Sequence, residues 1–239
     1  MISYQAAVNW LNANQGVLAV AIVVVTGLLG WLSGIFAALR RRPRFKIRLV
    51  EGPTFACTFS VGEQFNGFDV HQTGIALYLD ITNVGSAPSS IAEIWVGYHW
   101  NLIPFSRLWL KYSIGWHWLT HQIVALDDFR AAIGDMVKVY PFLKQINRLS
   151  PRNSETYLQV GQSTCGVVYF EQGKSWGGFS PKARSGSTNV RVKVFDAFGG
   201  THAKTFSVPV VTLHEARKFN PTFGATHAEM DRDAAGATT

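Results

Sequence analysis

The chain carries no charged side chain before Arg40 and then six within nine residues: Arg40, Arg41, Arg42, Arg44, Lys46 and Arg48. Ahead of them, residues 17–39 hold no ionisable group and are long enough to cross a hydrocarbon core of about 30 Å as a helix. A transmembrane helix is therefore expected over 16–39, after a short N-terminal segment (1–15) and before a basic juxtamembrane segment (40–48). Lys and Arg beside a spanning helix are retained on the cytoplasmic side, and residues 1–15 contain neither. The expected topology is single-pass in the plasma (inner) membrane, N-terminus out, with the C-terminal domain cytoplasmic. A cleaved secretory signal would instead show a basic leader, a shorter apolar stretch and a small-residue cleavage site. An exported domain is the alternative.

Charge sets a second boundary. The formal charge of +7 comes from 22 Lys and Arg against 15 Asp and Glu; setting the six juxtamembrane cations aside leaves 16 against 15. The basic residues thus read as a topogenic cluster that also grips anionic lipid headgroups, and nucleic acid is not an expected partner. Within the apolar run Thr26, Gly30, Gly34 and Ala38 recur every four residues, a small-residue stripe of the kind that lets spanning helices pack closely. A homo-oligomer or a membrane-protein partner follows from that stripe. Cys57 and Cys165 are reduced, buried small residues if the domain is cytoplasmic, and candidates for a bridge if it is exported.

Past the basic segment the apolar period becomes two. Phe45, Ile47 and Leu49 alternate with Lys46 and Arg48; Phe55, Cys57, Phe59 and Val61 share one parity; so do Ile75, Leu77, Leu79 and Ile81, then Ala92, Ile94, Val96 and Tyr98. Leu158 with Val160, then Val190, Val192 and Val194, then Phe206, Val208 and Val210 complete the set. Gly85, Gly161 and the pair Gly199 and Gly200 supply the reversals. The expected fold is mainly β, a single N-terminal transmembrane helix followed by an antiparallel sandwich over 45–212. The run Leu77-Tyr-Leu-Asp-Ile-Thr-Asn-Val-Gly-Ser-Ala-Pro is similar to the strand and turn of bacterial immunoglobulin-like adhesion and cell-surface modules. Tyr157-Leu-Gln-Val-Gly-Gln-Ser, followed by Val167-Val-Tyr-Phe, resembles a later strand pair in them. The resemblance covers roughly 45–100 and 155–211, and it implies an Ig-like fold and no particular activity.

A helical, Trp-rich insertion over about 101–150 interrupts that pattern. Five of the eight tryptophans fall from Trp95 to Trp118, and Asp127 or Asp128 would cap a helix whose Phe129, Ile133, Val137 and Tyr140 share a face. Trp109, Trp116 and Trp118 are the candidate interfacial or partner contacts, because indole combines an apolar ring with one polar handle. Three roles fit: an interfacial segment docking the domain on its own membrane, a cover over one face of the sandwich, or a contact with a membrane-protein partner. Residues 213–239 read as a short helix and a flexible tail.

Catalytic signatures are missing. Gly173-Lys174-Ser175 lacks the upstream glycine of a phosphate-binding loop, since position 168 is Val168. His117 and His121 would share a helix face as zinc-binding pairs do, but Trp118 stands where a metalloprotease has Glu, and no third ligand is evident. No catalytic residue, metal or cofactor is expected. The expected function is a non-enzymatic bitopic membrane protein whose β domain binds a partner or scaffolds a membrane complex. The alternative is a membrane-acting effector or ligand sensor, in which the domain controls the anchor or the insertion.

Overall fold

A computed structural model describes residues 4–34, 41–112, 115–123, 125–144 and 153–225. The chain divides into two compact units, Met1–Arg42 and Pro43–Thr239. In the first, α1 (Tyr4–Ala13) is followed by α2 (Gln15–Leu32), the one described helix long and apolar enough to cross a membrane. At about 1.5 Å per residue, its 18 residues reach about 27 Å. Ser33 and Gly34 end it. The Ser33 amide donates to the Leu29 carbonyl at 2.8 Å, its hydroxyl donates to the Gly30 carbonyl at 3.0 Å, and Gly34 turns left-handed at φ +75°. Thr26 and Gly30 therefore lie one turn apart on α2, Gly34 follows the cap, and Ala38 lies outside the described residues.

The second unit is mainly β. Its strands are β1 (Phe45–Leu49), β2 (Phe55–Phe65), β3 (Phe68–Asn83), β4 (Ser89–Tyr98), β5 (His117–Leu119), β6 (Phe129–Ile133), β7 (Met136–Tyr140), β8 (Phe142–Leu143), β9 (Asn153–Ser154), β10 (Tyr157–Leu158), β11 (Ser163–Trp176), β12 (Ala183–Arg184), β13 (Ser187–Asp196) and β14 (Thr201–Pro209). Two short helices, α3 (Arg107–Tyr112) and α4 (Leu213–Phe219), complete it. In the first sheet β3 is flanked by β1 and β2 on one side and β11 on the other, and β8 and β9 continue beyond β11 as parallel neighbours. The second is centred on β4 and β13, with β14, β12, β10 and β5 along them. Inward residues of both sheets, among them Ile47, Ile75, Leu77, Leu79, Val96, Phe170, Val192 and Val194, form one buried cluster, as the period of two requires.

The first sheet is also buried on its other face. There Phe55, Cys57, Ala76, Tyr78, Val167 and Tyr169 meet Phe129, Tyr140 and Phe142 from the insertion, and Ala216 and Phe223 from the C-terminal segment. Burial pushes the Cys57 thiol up to about 11, and Cys57 and Cys165 are both free thiols.

Where a helix was expected over 128–140, the chain forms the β6–β7 hairpin. Ile133 pairs with Met136, so Gly134 and Asp135 make a two-residue reversal, and Gly134 takes φ +59° without a Cβ penalty. Asp127 caps nothing helical; its carboxylate lies 3.5 Å from Arg130, and its carbonyl accepts from Asn220 at 3.1 Å. The only helix among the described residues of the insertion is the single turn and a half of α3. Residues 145–150 of the insertion and 226–239 of the tail lie outside the described residues. In the last segment α4 is closed by a capping box between Thr212 and Glu215.

The β13–β14 turn carries a pH dependence. Asp196 is buried, which raises its pKa, but hydrogen bonds from His202 Nε2 (2.8 Å) and the amides of Gly200 (2.9 Å) and Phe198 (2.8 Å) outweigh burial and hold it below the ordinary carboxylate value. A depressed folded-state pKa stabilises above the unfolded value of about 4, and that contribution is lost as pH falls through the folded one. Asp196→Ala should lower stability by about 2 kcal/mol at neutral pH. It should also flatten the acid limb of a melting-temperature profile taken between pH 6 and pH 3.

Candidate functional site

Around α3 the chain exposes side chains that normally leave water. Ser106 caps the helix, its Oγ accepting from the Trp109 amide at 3.1 Å, and the preceding residue is turned inside out: Phe105 holds φ +63° with its side chain 83% exposed. A bulky residue in the left-handed region is strained, and strain combined with exposure marks a residue placed for contact rather than packing. Ile103 is 78% exposed; Leu108, Leu110 and Tyr112 are exposed as well, and Trp109 leans on Phe105 at 5.3 Å between ring centres. Arg107 and Lys111 punctuate the same turn.

More aromatics arrive from elsewhere in the chain. Phe65, at the β2–β3 turn, stacks 4.6 Å from Trp176 at the end of β11; Phe68 beside it is exposed; Phe179 lies 5.7 Å from Tyr112 and 5.3 Å from Trp100. Pairing fixes this group at one pole of the unit. Trp176 lies opposite Val70, whereas Phe45, two residues after the unit begins, lies opposite Asn83 at the other end of β3. Val70 and Asn83 are separated by about 40 Å of extended strand.

Trp116 and Trp118 stand on the outward face of the second sheet, half-buried. Trp118 covers Gly97, where a Cβ would meet the indole at 2.8 Å, and Lys193 Nζ sits 4.0 Å above its ring. Arg191 lies 5.7 Å from Trp116, whose ring also meets His99 at 4.1 Å and Trp118 at 6.3 Å. Between this face and α3 runs a cleft of about 370 Å³ lined by His99, Trp100, Trp109, Lys182, Arg184 and Asn189 among others. The structure thus sets His99 against Trp116 and in one cleft with Trp109, and adds to that cleft Lys182 and Arg184, which sequence reasoning passed over.

The missed signal was the placing of acids. Residues 94–126 and 172–195 contain no Asp or Glu, yet hold Arg107, Lys111, Lys174, Lys182, Arg184, Arg191 and Lys193. At the pole, Glu63 pairs with Lys174 at 2.5 Å, and Asp69 accepts from Gln64 at 3.1 Å. Of the juxtamembrane cations, Arg41, Arg42, Arg44, Lys46 and Arg48 are all exposed, with Lys46 and Arg48 on the outward face of β1, and Arg40 lies outside the described residues.

Ligand-binding alternatives are thin. His117 lies on a strand rather than a helix, its ring against Trp100 at 4.1 Å, and burial lowers its pKa; no cluster of three metal-ligating side chains occurs among the described residues. A second cleft of about 320 Å³ holds Glu171, whose pKa burial raises although a hydrogen bond from the Tyr169 hydroxyl opposes the shift. Lys174 and Ser175 belong to β11, not to a phosphate-binding turn.

No family model and no curated protein matches the chain. Among solved structures it is similar to the Iho670 flagellar-like filament, at 13% identity and a TM-score of 0.23 over 83% of this chain and 98% of that one, a likeness too slight to carry an argument.

Proposed function

We propose that the chain is a non-enzymatic, single-pass membrane protein, anchored by α2 with its β-rich unit in the cytoplasm, and that the acid-poor aromatic pole is the surface by which it binds a partner in a membrane complex. The apolar helix and the charge asymmetry about it support the topology. Two sheets sharing one core support an Ig-like sandwich as the scaffold. Phe105 carries the binding assignment: a soluble unit has no folding reason to strain a phenylalanine and leave it in water. Thr26 and Gly30 provide a narrow small-residue contact for association between anchors. The pole lies at the end of the unit remote from residue 43, which favours a contact away from the point where the chain comes in.

The test is copurification from native membranes in mild detergent, comparing the natural chain with the double substitution Phe105→Ser, Leu108→Ser. Both side chains are exposed, so folding should be almost untouched. A stoichiometric partner, protein or lipid, should follow the natural chain and be reduced at least tenfold with the variant. Equal recovery in both would remove the pole as the binding surface.

A further inference from the structure

We infer that what the aromatic pole docks on is the surface of an anionic bilayer, with acidic headgroups taken into the cleft between α3 and the β12–β13 turn. This deepens the proposed function and rests on its assignment of the pole as the binding surface.

Shape and chemistry favour a bilayer over a folded protein. The exposed side chains of Ile103, Phe105, Leu108 and Leu110 project from one short loop and turn rather than lining a groove. Insertion into the acyl boundary needs projecting apolar groups of this kind, whereas a protein partner is met by complementary pockets. Trp109, Tyr112 and Trp176 flank them, with rings suited to the headgroup level. The charge is complementary to acidic lipid: Arg107 and Lys111 on the loop, Lys182 and Arg184 in the cleft and no acid lining that cleft, while Glu63 and Asp69 beside the β2–β3 turn are engaged by Lys174 and Gln64. His99 and Asn189 add hydrogen-bonding groups to the cleft wall.

The experiment holds the full chain in nanodiscs of neutral phosphatidylcholine and measures capture of separately added vesicles, either neutral or containing about a third phosphatidylserine. Anionic vesicles should be captured and neutral ones not, and capture should weaken as salt rises. Arg107→Gln with Lys111→Gln should reduce affinity about thirtyfold, at roughly 1 kcal/mol for each basic side chain near the surface. Phe105→Ser with Leu108→Ser should abolish capture, while Gly173→Ala, a strand site with open space around it, should leave it unchanged. Equal capture of neutral and anionic vesicles, or capture indifferent to both double variants, overturns the lipid assignment. If no vesicle is captured but the Phe105 and Leu108 variant still loses a copurifying protein, the pole is a protein-binding surface and only the lipid assignment falls. If neither readout responds, both fall.

Discussion

Gly166→Ala should destabilise the β-rich unit by about 3 kcal/mol or more, although it adds a single methyl group. A Cβ at that position would stand 2.6 Å from Leu143 Cβ, 2.7 Å from Leu143 N and 2.8 Å from its Cα, and two of these atoms are backbone that no rotamer change can move. The backbone in the way is β8. This strand is only two residues long, pairs in parallel with β11 through Val167 and Phe142, and is seated further by the Val167 amide donating to the Pro141 carbonyl at 2.8 Å. Its two side chains belong to different cores: Leu143 to the one between the sheets, Phe142 to the one beneath the insertion, both fully buried. Pushing β8 away therefore loosens two apolar clusters at once. Overpacking alone costs about 1–3 kcal/mol, and partial exposure of a Leu and a Phe adds a share of the ~1.5–3 kcal/mol that each contributes when buried. Urea titration of the full chain in detergent, followed by tryptophan fluorescence, measures it. Gly173→Ala on the same strand has nothing within 4 Å and should shift the midpoint little.

The same two cores explain how much could be read from the sequence. Strands with one buried face announced themselves: Lys46 and Arg48 alternating with Phe45, Ile47 and Leu49, and Arg191 and Lys193 between the valines of β13, have the alternation that a half-buried strand must have. In β3 the strand itself was legible from Ile75, Leu77, Leu79 and Ile81, but its second buried face was not: Ala76 and Tyr78 are buried too and face a different core. What fills the second core was legible only in part: a cover over one face was among the roles read for 101–150, but its hairpin form was not. Phe129, Ile133, Val137 and Tyr140 fit a helical period, and Phe129 with Ala131 fits a strand period just as well; only Gly134 with Asp135 breaks the tie, and a two-residue reversal is a weak mark against four spaced apolar residues. The pole was half visible. Tryptophan clustering pointed to residues 95–118, but Phe65 meets Trp176 only through the long pairing of β2, β3 and β11. Net charge concealed it further, since near-neutral bookkeeping over the whole domain averages the acid-free stretches 94–126 and 172–195 with acid-bearing ones elsewhere.

Phe223→Ala should remove about 3–5 kcal/mol, among the largest losses available to a single truncation in this chain. Its side chain is 1% exposed and lies 5.4 Å from Phe55, 6.2 Å from Phe59 and 5.4 Å from Tyr169 between ring centres, so it pins the C-terminal segment to the outer face of the first sheet. The position beneath it is Gly74 of β3, where a Cβ would meet Phe223 Cζ at 2.4 Å. The ring has nowhere to retreat, held as it is by three other aromatic rings. Gly74→Ala should therefore cost about 1–3 kcal/mol in the natural chain by overpacking. In the Phe223→Ala background the sign of the argument changes: the added methyl projects into the space the ring has left, and a strand residue gains from alanine's smaller conformational freedom when unfolded. The second substitution should then be neutral or mildly stabilising, a coupling of about 1–3 kcal/mol between residues 149 positions apart in the chain. Denaturant midpoints of the natural chain, both single variants and the double variant close the cycle. If Gly74→Ala were equally costly in both backgrounds, residues 213–225 would not lie against β3, and the first sheet would present an open apolar face in their place.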